Sequence, residues 1–292
     1  YSVLAESENK KENCLKSIEL YNEALNTYSI DKYPLEYAQA KNSLGGAYLM
    51  LSDDEDTEIN LSKAAECFED SLKVRTLDND PQGYAHSKIN LANTFARLSQ
   101  IEEPARNLGI ALGLYNDSLK IYLKEKYPNQ YGMAHNNIGN VYFLLAQVSD
   151  KKDNYMRSIE SYNKALEVRS PENSPVLYSN TLFNLSDTYL MLGESERDPD
   201  YIKEALKLIE ELTGISSANL TPFRFGEICF TAAKCHILLS EIEDKKFNLK
   251  KAIEFYEKAL QIFNEIDLND MLRKTKEGLQ SAKDELNIIS EK

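Results

Sequence analysis

The chain has 292 residues, 42% of them hydrophobic, and its 47 acidic against 34 basic residues give a formal net charge of −13. That is the composition of a folded chain, and its acidity argues against a nucleic-acid-tracking surface or docking on an anionic membrane. No apolar run approaches the roughly 18 residues a membrane-spanning helix needs. The four cysteines, Cys14, Cys67, Cys229 and Cys235, form no C-x-x-C pair and no histidine stands at zinc-ligand spacing. They read as small buried thiols in a reducing cytoplasm, and cytoplasmic localisation is the expectation.

One spacing organises the chain. Tyr21, Phe68, Tyr115, Tyr162, Ile209 and Tyr256 follow one another at 47 residues without insertion or deletion. A strict period means that each unit is one supersecondary piece burying its apolar face on its neighbours. Tyr1 lies 47 residues before Tyr48, and YSVLAE matches YFLLAQ at 142–147. Residues 1–12 are therefore expected to end a truncated preceding repeat, with at least one more repeat upstream.

Repeats are expected over residues 13–267, each with two helical segments. The first begins at a proline: Pro34, Pro81, Pro128, Pro175 and Pro222 share one column. Proline suits the first helical turn, where its missing N–H costs nothing. Asp80, Ser174 and Thr221 stand where an N-cap belongs. Over 128–146, Tyr131, Ile138, Tyr142 and Leu145 make one apolar stripe. The second segment, about 154–168 in the same repeat, buries Ile159, Tyr162, Ala165 and Leu166. Asn13, Asn60, Asn107, Asn154 and Asn248 share a column at its start, which predicts a cap or turn role. The loops 52–58, 149–153 and 194–198 are polar and align along one edge.

Small residues mark close helix contacts. Gly45, Ala92, Gly139, Ser186 and Ala233 form one such column, and Ser17, Ala64, Ala111, Ser158, Ala205 and Ala252 another. The fifth unit is degenerate, with Ile209, Thr213, Ala232 and His236 in place of the expected residues. Residues 268–292 keep Leu272, Leu279 and Leu286 on one stripe but are otherwise polar. They are expected to form a capping helix with a wet outer face, at a natural C-terminus.

The motifs LGGAY (44–48) and IGNVY (138–142), with SIESYNKAL (158–166) and AIEFYEKA (252–259), resemble the tetratricopeptide repeat. That repeat is a helix pair with L-G-x-x-Y in the first helix and A-x-x-x-F/Y-x-x-A in the second. Its usual length is about 34 residues, so this chain looks like a long-repeat variety of bacterial or archaeal type. Armadillo and HEAT units come near the length but do not explain L-G-x-x-Y. The resemblance implies an all-α, right-handed helix-pair solenoid, a superhelix of about six pairs.

Nothing in the spacing suggests catalysis. His86, His135 and His236 have no serine or cysteine partner in motif, Gly45-Gly46 lies inside a helix, and the carboxylates sit on loops and helix exteriors. No cofactor or metal is implied, and a non-enzymatic chain is expected.

In proteins of the resembled family the first helices line a concave groove. The positions implied to face it include Gln39, His86 and Met133 in one column, and Asn42, Asn136 and Phe183 in a second. Asn93, Asn140 and Asp187 fall in a third, and Arg97 in a fourth. Asn42, Asn93, Asn136 and Asn140 form a ladder of amides that either holds an extended peptide backbone or bonds within the protein. Asn90 and Asn137, one step off the groove, are expected to bond between repeats. The lysines that let some family members clamp chaperone tails are missing, since Asn42, Ile89, Asn136, Phe183 and Phe230 occupy those positions.

The function so implied is a scaffold that binds a protein or extended peptide in its groove, with no nucleic-acid or membrane partner. The alternative is a regulatory or sensor arm of a larger enzyme or signalling protein, with the activity in missing N-terminal sequence. Self-association through exposed end helices is a further expectation.

Overall fold

A computed structural model describes residues 9–214 and 221–290. Residues 1–8, most of the expected end of a preceding repeat, lie outside them. The chain divides into two compact units, Tyr1–Val148 and Ser149–Lys292. The first holds α1 (Lys10–Thr27), α2 (Pro34–Leu51), α3 (Thr57–Leu72), α4 (Pro81–Leu98), α5 (Pro104–Leu119) and α6 (Pro128–Leu145). The second holds α7 (Lys151–Leu166), α8 (Pro175–Glu196), α9 (Pro199–Gly214), α10 (Pro222–Ser240), α11 (Lys245–Glu265) and α12 (Asn269–Ser290). There is no strand among the described residues, and both units are built as an all-α helix-pair solenoid.

The five column prolines are the first residues of α2, α4, α6, α8 and α10. Two of the three expected caps form. Asp80 accepts from Gly83 N at 2.9 Å, and Thr221 from Arg224 N at 3.2 Å. Ser174 does not cap α8. Its hydroxyl donates instead to Asn173 Oδ1 at 2.7 Å, because Asn173 already closes the preceding loop through Ser170 N and Val168 O.

The asparagine column does not cap the second helices either. These helices start three residues earlier, after a left-handed residue: Asp56, Glu103, Asp150 and Asp244 have φ of 43°, 42°, 44° and 34°. Each asparagine sits in the first turn and reaches back. Asn60, Asn107, Asn154 and Asn248 donate through Nδ2 to the carbonyls of Glu55, Glu102, Ser149 and Glu243, each at 2.8 Å. A carbonyl that would otherwise be orphaned in the loop is satisfied in the same way in four repeats.

Aspartate and asparagine tolerate the left-handed region; glutamate does so less well. Glu103→Asn should therefore raise stability by about 0.5–1 kcal/mol. The exposed Glu103–Arg106 ion pair that it removes offsets little of this. A urea midpoint that stays or falls at unchanged slope would refute the strain argument.

The core is aromatic against small. Phe68, Tyr115, Tyr162 and Tyr256 are at most 5% exposed. A Cβ added to Gly45 would lie 2.8 Å from the Phe68 ring, and one on Gly226 would lie 2.5 Å from Phe263. In the first unit Tyr115, Leu108 and Ala111 of α5 pack with Ile89 and Ala92 of α4 and with Ile138 and Val141 of α6. In the degenerate repeat an aliphatic cluster replaces the rings, with Ile209, Ile202 and Leu212 of α9 against Leu182, Leu190 and Leu239. His236 holds Asn248 Oδ1 at 2.9 Å and stacks on Phe255.

Each first helix of the first two complete pairs is also pinned to its second helix by charge. Lys41 pairs with Asp70 at 2.7 Å and Lys88 with Asp117 at 3.1 Å, each lysine lying over a tyrosine ring, Tyr37 or Tyr84. The α12 helix buries Leu272, Thr275, Leu279 and Ala282 and exposes Arg273, Glu277, Gln280 and Asp284. All four cysteines are free and buried; burial pushes the Cys67 and Cys229 thiols up to about 11.

Candidate functional site

The α4 and α6 helices present a hollow of about 300 Å³ in the first unit. Its polar lining is Asn93 and Arg97 from α4, Gln100 from the turn just after it, and Asn137 and Asn140 from α6. Ala96, Val141, Leu144 and the Tyr115 ring supply the apolar wall. Three of the residues expected from sequence, Asn93, Arg97 and Asn140, are thus brought together.

Their anchoring gives the hollow its shape. Asn93 Oδ1 accepts from the Tyr115 hydroxyl at 2.5 Å and from Asn137 Nδ2 at 3.0 Å. These two bonds orient the amide. Arg97 donates to Leu49 O at 2.9 Å and pairs with Asp53, so it braces α4 against the end of α2. Burial pushes the Tyr115 phenol up, which keeps it a donor. Asn140 is exposed.

Other expected residues stand elsewhere. Asn42 is 6% exposed, and its Oδ1 accepts from Ser87 Oγ at 3.0 Å and Asn90 Nδ2 at 3.3 Å. Its column turns toward the neighbouring first helix, and the amide joins α2 to α4. Asn90 and Asn137 also bond between repeats. Asn136 is half-buried, while His86 and Met133 are exposed, and none of the three lines the hollow.

Gln39 is exposed and belongs to a second hollow of about 610 Å³ between α1 and α2, with Tyr21, Tyr28, Leu35 and Arg75 among its lining. Arg75 belongs to none of the columns singled out from sequence, yet it is 6% exposed. It donates to Ser87 Oγ at 3.2 Å and to Gln39 Oε1 at 2.5 Å, and its Nε lies 3.1 Å from Asp80. The available signal was spacing: Arg169, two periods on, donates likewise to Thr181, as Arg75 does to Ser87 twelve residues further along.

In the second unit Phe183 is buried, with the Arg224 guanidinium 4.5 Å from its ring centre. It is therefore a covered ring and not an open apolar pocket. Burial pushes the Asp187 carboxyl up, and Lys234 opposes it. Burial also raises Glu227, opposed by Arg224 at 3.0 Å. This is a mixed-charge patch, chemically unlike the amide hollow. A separate hollow of about 560 Å³ near the α8–α9 loop, lined by Gly193, Arg197, Ile202 and Leu238 among others, contains none of the expected residues.

No group of three or more potential metal ligands occurs among the described residues. No helix there is long and apolar enough to cross a membrane.

Residues 139–171 and 233–265 match the tetratricopeptide repeat family. The crystal structure of BtubC (BKLC) from P. vanneervenii is similar in fold, at 16% identity and a TM-score of 0.62, over 89% of this chain and 92% of that one. A thermophilic tetratricopeptide-repeat protein of Thermus thermophilus aligns at 19% identity and a TM-score of 0.47, over 81% of this chain and 99% of that one. No curated protein matches the chain.

Proposed function

We propose that this chain, two segments of which match the tetratricopeptide repeat family, is a non-catalytic scaffold whose first unit holds an extended segment of a partner protein. The observation that carries this is the amide hollow. Asn93 is oriented by two hydrogen bonds, Asn140 is exposed beside it, and Leu144 and Val141 form an apolar wall. Amides offer both donor and acceptor, as a peptide backbone requires, and the apolar wall takes a side chain. Few charges line the hollow, and Arg97 is already committed to Asp53, so the segment recognised is uncharged.

Peptide display selection on the wild-type chain provides the test. Asn140→Ala should lower the unfolding free energy by no more than about 1 kcal/mol, as for an exposed side chain that gives up one hydrogen bond. It should weaken the selected peptides about tenfold, the loss of one well-placed hydrogen-bonding group. Peptides that bind Asn140→Ala as well as wild type would remove the hollow from the function.

A further inference from the structure

Among the described residues that line the hollow between α4 and α6, Arg97 alone carries a charge. Its guanidinium is held by two acceptors at the end of α2, Leu49 O at 2.9 Å and Asp53 Oδ1. Asp53 is itself fixed, because its other oxygen accepts from Lys10 Nζ of α1 at 2.7 Å. Two cations from two helices thus share one carboxylate. Partial burial pushes the Asp53 carboxyl up, but Lys10 and Arg97 outweigh it and hold it below the usual carboxylate range, so it is ionised at neutral pH. One period on, the same two columns hold Gln100 and Leu144, both neutral. In the first unit the arginine and the aspartate come together.

We propose that Asp53, which stands behind the hollow rather than in its lining, sets the charge of the segment the hollow accepts, on the reading that the hollow holds an extended partner segment. A guanidinium offers five N–H donors in a fixed fork, and a partner carboxylate takes two of them when they are free. With Asp53 in place, that carboxylate shares Arg97 with a second anion, and like-charge repulsion offsets the attraction. A basic residue meets Arg97 itself and is repelled. A neutral residue meets neither penalty. Without the Asp53 charge, Asp54 still faces Lys10 at 3.7 Å, which leaves Arg97 as the unbalanced cation. The same hollow then prefers a segment carrying an acidic residue.

A purely structural aspartate would behave otherwise. If Asp53 only braced α2 against α4, its loss would weaken every peptide alike and leave their ranking unchanged. Asp53→Asn isolates the charge, because the amide oxygen can still accept from Arg97 and the bond from Arg97 to Leu49 O does not involve Asp53. Arg97 and Asp53 are 32% and 46% exposed, so the pair itself contributes little to stability.

Peptide display on the full 292-residue chain, wild type against Asp53→Asn, provides the test. Wild type should select neutral peptides, and Asp53→Asn should select peptides with one Asp or Glu at a fixed place. For two synthetic peptides that differ only by Glu or Gln at that place, the affinity ratio should move about fivefold or more toward Glu in Asp53→Asn. The gain should shrink in about 0.5 M salt, and adding Arg97→Gln should return the ratio to its wild-type value. A ratio unmoved by Asp53→Asn, for peptides that Asn140→Ala still weakens, overturns the inference and leaves the peptide-holding hollow standing. Equal losses for both peptides assign Asp53 to the brace and overturn it too. Peptides indifferent to Asn140→Ala, or no peptide selected at all, remove the hollow from the function and this inference with it.

Discussion

Tyr115→Ala is expected to lower the stability of the first unit by about 3–5 kcal/mol, the range for removing a large ring from a tight core. The ring is 1% exposed and packs within the cluster of α4, α5 and α6 that includes Ala92, Ile138 and Val141. Its neighbours are held by their own helices and cannot collapse into the space. Asn93 Oδ1 would also lose one of its two donors. Tyr115→Phe separates these effects: it keeps the ring and drops only the hydroxyl, and should cost about 1 kcal/mol. Urea unfolding followed by circular dichroism reads both. A loss below about 1 kcal/mol for the alanine variant would mean that the repeat relaxes around the hole.

Adjacent glycines should respond with opposite sign. Gly45→Leu is expected to cost about 3 kcal/mol, the upper end for overpacking. A Cβ there lies 2.8 Å from a Phe68 ring that is fully buried among Ala64, Leu91 and Tyr48. Even Gly45→Ala should destabilise, because the clash outweighs the gain of about 1 kcal/mol in helix propensity. At Gly46 a Cβ meets nothing within 4 Å. Gly46→Ala should therefore keep that gain and raise the urea midpoint. Two shifts of the same sign would show that α2 and α3 are not packed as closely as their side chains indicate.

The period was readable because every repeat buries the same face, and proline placed five helix starts to the residue. The second helices were misjudged by three residues for a specific reason. Asn60 and its equivalents fitted a cap or a turn role because asparagine favours both, and their bonds run backward to a loop carbonyl, which is the turn role. That loop exists only once Asp56 has turned into the left-handed region.

The site was partly legible. The family resemblance implied that both Asn42 and Asn93 face the groove, yet of the two only Asn93 lines the hollow between α4 and α6, while Asn42 is buried. The difference depends on how neighbouring first helices cross, which no single helix encodes. Arg75 escaped notice because a basic residue near a loop usually reads as solvated. Its burial comes from Ser87 and Gln39, twelve and thirty-six residues away in sequence.

The buried thiols carry a consequence for measurement. Cys14 lies in α1, Cys67 in α3, and Cys229 and Cys235 in α10, each at most 6% exposed. Burial raises the pKa of each thiol, so almost none is thiolate while its helix is in place. Modification of each cysteine then waits on opening of its own helix pair, and native-state opening in a repeat array is local before it is global. Without any engineered probe, the chain carries reporters of opening near the start of the first unit, in its next pair, and in the second unit.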